Sequence, residues 1–169
     1  MERRDRECDV IGGIQIYSPG RDTTLVIIQR ETEMSLVVRT DFSAREAWEA
    51  CRSAIEKSAV EAIGHPDTFV EFVDNPEYRD ITVEEFLDQL PEGDEDENDT
   101  YVMLADEQTM ASEDHPILVL DLFDAGRGTT ARVASSQLWE VVGNLDNANM
   151  DVRDYAEAAD DDGVFRNFP

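Results

Sequence analysis

Lysine is almost missing from this chain of 169 residues, in which Lys57 is the sole lysine among 14 basic residues that face 40 acidic ones. The formal net charge is −26. A field of that sign repels nucleic-acid phosphates and anionic membrane surfaces, so direct DNA or RNA binding is not expected. It attracts cations, and a basic protein is the partner this composition calls for. Codon usage in a GC-rich genome, adaptation to high salt and solubility alone would each produce the same bias, and these alternatives stay open.

Cysteine and histidine are scarce as well. Cys8 and Cys51 match no metal-ligand spacing and no disulfide framework, and Cys51 falls on the apolar face of a predicted helix. His65 and His115 both precede proline, the setting of a turn residue. There is no H-E-x-x-H, no Cys–His cluster, no serine in a nucleophile elbow and no glycine-rich phosphate loop. Zinc chemistry and nucleophilic catalysis therefore lack their usual signatures, and no cofactor is expected. Long apolar runs are also missing. The runs present, such as LVII at 25–28 and ILVL at 117–120, are far too short to span a membrane, and MERRDRECDV offers no signal peptide. These absences lead to the expectation of a cytoplasmic chain without membrane association.

What remains is enough for a folded domain: a chain of this size buries roughly 70% of its unfolded surface. Residues 1–34 read as an arm carrying a strand or hairpin, with TTLVIIQR (23–30) as its β-branched stretch, and 35–169 as a single acidic α/β domain. SLVVRT (35–40) and TFVEFVDN (68–75) have strand composition. Between them Ala44, Ala47, Trp48, Cys51 and Ile55 recur at helical spacing, with Ser43 and Glu46 as a capping box and Gly64 as the stop. Thr82 and Glu85 form a second capping box, opening a helix that runs to Leu90. YVMLAD (101–106) and ILVLDLF (117–123) read as inner strands, with one helical turn between them, and TTARVA (129–134) as an antiparallel return. Ser135 or Ser136 is expected to cap one C-terminal helix and Asp151 a second, with Phe165 and Phe168 folding back onto the body. The expected fold class is α/β, with α+β as the variant: a mixed sheet of about five or six strands, helices packed on it, and a C-terminal helix pair.

Several stretches together resemble a known group. TDFSAREAW (40–48), VEFVDNPEY (70–78), LPEG (90–93), HPILVLDL (115–122), LWEVVGNLDNANMDVRDYA (138–156) and DGVFRNF (162–168) are similar to an uncharacterised family of small acidic domains from actinobacteria. The resemblance implies one domain from Leu36 to Phe168 and brings no catalytic residue with it.

Three groups of residues are candidates for chemistry. Asp41, Asp74, Asp106 and Asp124 each follow a predicted strand. In a parallel sheet the carboxyl ends of strands face ligands, and several Asp there would suit Mg²⁺. Antiparallel neighbours would scatter them to opposite edges. The run DEDEND, with Asp94, Glu95, Asp96, Glu97 and Asp99, is expected to stay solvated by mutual repulsion and to contact a cationic partner. It fails as a calcium loop, having Asp99 at the sixth position and Ala105 at the twelfth. Asn144, Asn147 and Asn149 suit a helix end better than a binding surface. The leading expectation is a non-enzymatic binding protein, of inhibitor or immunity type, that engages a basic protein. The alternatives are a Mg²⁺-dependent enzyme using the strand-end Asp residues and a structural subunit of a larger assembly.

Overall fold

The computed structural model describes residues 15–17, 25–27, 34–64, 69–89, 100–123 and 125–168. In chain order these form β1 (Gln15–Tyr17), β2 (Leu25–Ile27), β3 (Ser35–Arg39), α1 (Arg45–Ile63), β4 (Val70–Val73), α2 (Val83–Gln89), β5 (Tyr101–Ala105), α3 (Glu107–Ala111), β6 (Ile117–Asp121), β7 (Thr130–Val133), α4 (Leu138–Asp146), α5 (Val152–Glu157) and β8 (Val164–Phe165). β1 and β2 pair antiparallel as a separate ribbon. The main sheet has the order β4-β3-β5-β6-β7-β8. β3 is parallel to both β4 and β5, whereas β6 is antiparallel to both β5 and β7, and β8 is parallel to β7. The sheet is mixed and six-stranded, as the composition of its segments implies.

Alternation along the strands sorts the core into two halves. Val37, Met103, Val119 and Val133 point to the face covered by α1, α4 and α5, where they meet Trp48, Cys51, Ile55, Leu138, Val142 and Tyr155. Leu36, Val38, Val102, Leu104 and Leu120 point to the other face, where they meet Tyr78 and Phe86. Strands β3 and β5 are buried on both sides, which is why they read as unbroken apolar runs rather than as alternating ones. Phe165 is fully buried, and Phe168 closes over it and Tyr155 with ring centroids 4.9 and 5.7 Å apart. The tail thus folds back as its aromatics require.

Helix ends correct two expectations. The Ser43–Glu46 capping box does not form: α1 starts after Ala44 with no side-chain cap. Ser43 is held by Asp41 instead, its amide donating to Oδ1 at 2.6 Å and its hydroxyl to Oδ2 at 2.9 Å. An Asp two residues upstream captures the same donor in a tighter ring and pre-empts the helix cap. Neither Ser135 nor Ser136 caps α4. Residues 135–137 make a 3-10 turn with no side-chain cap, and the Ser135 hydroxyl donates to the Asp114 carbonyl at 2.9 Å. The other terminators behave as their chemistry dictates. Thr82 and Glu85 satisfy each other's amides at 3.1 and 3.0 Å. Gly64 ends α1 in the left-handed region at φ 83°, its amide donating to the Val60 carbonyl. Asn147 ends α4, its amide group donating to the Gly143 carbonyl at 2.6 Å.

Candidate functional site

The connection β3-α1-β4 crosses one face of the sheet, and β4-α2-β5 returns across the other, passing over β3. Strand order therefore reverses between β3 and β5. Beyond the carboxyl ends of two such strands an open sheet leaves a crevice. A crevice of about 450 Å³ opens there, lined by Thr40 and Asp41 after β3, Asp106 and Glu107 after β5, and Asp80 and Thr82 ahead of α2.

Backbone bonds hold its walls. The Thr40 amide donates to the Ala105 carbonyl at 2.9 Å, and the Asp80 amide donates to the Thr40 carbonyl at 2.8 Å. Asp80 takes a left-handed backbone at φ 59°, unusual for a residue with a β-carbon, and this turn presents its side chain to solvent at the rim. Glu107 is likewise exposed. Asp41 is half-buried and committed to Ser43.

Asp106 is the most constrained carboxylate. Arg132 of β7 meets it with both terminal nitrogens, Nη1 donating to Oδ1 at 2.7 Å and Nη2 to Oδ2. The Thr109 amide donates to Oδ1 at 3.2 Å, and the Thr109 hydroxyl accepts from the Asp106 amide at 3.2 Å, a capping box for α3. Burial alone would raise the Asp106 pKa, but the Arg132 guanidinium and the Thr109 donors outweigh it and hold the carboxyl below the ordinary value.

The three described strand-end Asp residues part company. Asp41 and Asp106 converge on the crevice. Asp74 stands at the same sheet edge but faces away from the crevice, accepting from Arg39 Nη1 and from Trp48 Nε1, each at 3.2 Å. Arg39 is buried at 5% exposure, its guanidinium stacked 4.4 Å from the Phe42 ring centroid. Asp124 lies outside the described residues. Asp94, Glu95, Asp96, Glu97 and Asp99 also lie outside the described residues, as do Cys8 and His65. Among the described residues no group of three His, Cys, Asp or Glu side chains is placed to hold a metal ion. No helix among them is long and apolar enough to cross a membrane.

Sequence reasoning missed Asp80, Glu107 and Arg132. Nothing local marks Arg132 as the partner of Asp106, because one strand, β6, separates β7 from β5, whose end carries Asp106, and the pair forms only when β6 and β7 fold back. The motif D-x-x-T at 106–109 was a usable signal for the α3 cap.

Electrostatically, most of the described cations are engaged with the protein's own acceptors, while Arg79 stacks 4.9 Å from the Phe42 ring centroid and Arg153 lines a cavity at the other end of the sheet. Arg39 pairs with Asp74, Arg132 with Asp106, Arg45 with Glu49, Arg52 with Glu56 and Lys57 with Glu61. Arg166 gathers Asp114, Asp160 and Asp162, contacting each within 2.8 Å. Arg127 donates to the carbonyls of Leu122 and Leu87. The crevice rim keeps carboxylates and hydroxyls facing outward. Such a set of acceptors suits a guanidinium or ammonium group.

Residues 34–168 match the model of a family described as a domain of unknown function, DUF6924. No curated protein matches the chain.

Proposed function

Since the chain belongs to the DUF6924 family, whose function is unknown, kinship assigns it no activity, and we propose that it is a non-enzymatic binding protein for a cationic protein partner. One observation carries this reading: the net charge is −26, and of the described cations Arg39, Arg45, Arg52, Lys57, Arg127, Arg132 and Arg166 are engaged with the protein's own acceptors, which leaves few to draw an anionic partner. Opposed fields steer association and reject partners of the wrong sign. The crevice at the ends of β3 and β5 supplies a receptor for an arginine or lysine side chain of that partner, with Asp80 and Glu107 as free acceptors at its rim. The acidic run at 94–99 adds a second contact. A pairing of inhibitor or immunity type, in the cytoplasm, fits such a surface, and bare nucleic acid does not.

Calorimetric titration with a nona-arginine peptide tests the reading. Binding should weaken steeply with salt, as screening of exposed charge requires. Asp80→Asn with Glu107→Gln should weaken it far more than Glu61→Gln with Glu157→Gln, which removes the same charge from helices on the opposite face. Equal losses in the two doubles would show that the crevice has no special part. Binding no tighter than to a neutral Gly-Ser peptide would overturn the proposal altogether.

A further inference from the structure

A second cavity lies at the opposite edge of the sheet, where the amino end of β5, the β6–β7 turn and the connection from α4 to α5 meet. Its volume is about 480 Å³, within the roughly 300–1,000 Å³ range of small-molecule sites. Its apolar wall consists of Phe123, Leu145, Met150 and Val152. Phe123 is 52% exposed, the most exposed large apolar side chain among the described residues, and it stands at the mouth.

The charged lining consists of Asp121, Asp151, Asp154 and the cation Arg153, and Asp121 is the carboxylate held in the β6–β7 turn. Its Oδ1 accepts the Phe123 amide at 2.9 Å. Its Oδ2 receives no hydrogen bond from the described residues, and the influence of Asp151 on this carboxylate opposes that of Arg153. The turn is built around this carboxylate. The Gly128 amide donates to the Asp121 carbonyl and the Gly126 amide to the Phe123 carbonyl, each at 2.9 Å. Gly126 presses so close that a β-carbon there would sit 2.0 Å from Oδ2. Burial raises the Asp121 pKa above the ordinary carboxylate value, with Asp151 adding to the effect. A half-buried carboxylate with one oxygen that takes no hydrogen bond from the described residues, facing a cavity with an aromatic lip, is open to a donor from a ligand. The surrounding field makes an anionic donor unfavourable, whereas an ammonium supplies both the charge and the hydrogen bond.

We propose that this cavity binds a small amphipathic amine, its apolar body against Phe123, Leu145, Met150 and Val152 and its ammonium on Oδ2 of Asp121. This site is separate from the crevice of the proposed function and stands without it. The probe is 2-phenylethylamine, with phenylacetate as the anionic control, followed by amide chemical shifts of the full chain in a heteronuclear NMR titration. The amine should give saturable shifts at residues 121–129 and 145–153, and phenylacetate should give none. Asp121→Asn should weaken binding by about tenfold, the loss expected for one charged hydrogen bond. Phe123→Ala should weaken it several-fold, and because that side chain is exposed its removal leaves the fold intact. No saturable shift at these amides up to about 10 mM amine, a concentration well beyond a millimolar Kd, would overturn the proposal. So would equal shifts from phenylacetate, or wild-type affinity in both variants.

Discussion

Replacing Asp106 by Asn, Arg132 by Met, and both together tests whether the bidentate pair fastens the hairpin to the centre of the sheet. The two side chains are 28% and 19% exposed, so each single change strands a largely desolvated partner. Asp106→Asn keeps one acceptor for the Thr109 amide but removes the charge and turns the other acceptor into a donor facing Arg132, so about 2–3 kcal/mol is expected. Arg132→Met leaves the Asp106 carboxylate facing the crevice without its counter-ion and should cost about 2–4 kcal/mol. The double variant should fall short of the sum by about 1–3 kcal/mol, because the second change removes a partner already stranded. Urea unfolding with linear extrapolation measures all three. The pH dependence supplies an independent arm. The Asp106 pKa is lowered in the folded state, so its contribution is complete above the unfolded value near 3.9 and is lost as pH falls through the lower folded value. Wild type should therefore shed stability below about pH 4 that the double variant does not have to shed. Strict additivity of the two singles, or a cost below about 0.5 kcal/mol for Asp106→Asn, would show that the pair is ornamental and refute the reasoning.

Three further outcomes follow from single contacts. Burial pushes the Cys51 thiol up to about 12, so it should resist a thiol reagent such as dithionitrobenzoate at pH 8 in the native state and react at once in urea. Phe86, fully buried on the α2 face, should cost about 3–5 kcal/mol when cut to Ala, measured by urea unfolding, and the change should loosen α2 before it loosens α1 in hydrogen exchange. Gly126→Ala should destabilise by about 1–3 kcal/mol through its clash with Asp121, and Asp121→Ala in the same chain should recover most of that loss in thermal unfolding.

Much of the fold was legible because its signals are local. Trp48, Cys51 and Ile55 recur at helical spacing, and all three are buried in the core beneath α1. The apolar run at 117–123 and the β-branched TTARVA around a glycine turn form the antiparallel pair β6–β7 that their spacing implies. The errors share a cause in competition between neighbours. Ser43 has the right partner at Glu46 for a cap, but Asp41 lies closer in sequence and holds both of its donors. The candidate site was half legible. The strand-end rule finds Asp41 and Asp106, since Asp106 directly follows β5 and Asp41 stands two residues beyond β3, its parallel neighbour. It misleads at Asp74, where Arg39 and Trp48 claim the carboxylate, because no local pattern reports a partner on another element. Asp80 stayed invisible for a topological reason. It reaches the crevice only because the chain crosses above β3 on its way from β4 to β5, and strand order is not written in periodicity.

The direction of β6 decides how the two cavities relate. Were β6 parallel to β5, its following turn would join the crowd of loops at the carboxyl edge, and Phe123 and Asp121 would sit beside Asp80 and Glu107. Because β6 runs backwards, the turn after it and the α4–α5 connection meet the amino end of β5 instead. β5 then separates the sites: Leu104 and Asp106 line one, Thr100 and Tyr101 the other. Five residues of strand span roughly 17 Å, about two Debye lengths at physiological ionic strength. Removing charge at Asp80 and Glu107 should therefore leave amine binding near Asp121 unchanged within error, and Phe123→Ala should leave peptide binding unchanged. Coupling across that distance would need a packed element with two arrangements. The Tyr101 hydroxyl at the amino end, donating to Asp146 at 2.7 Å and lying 2.8 Å from Ser35, pins β3, β5 and α4 into one.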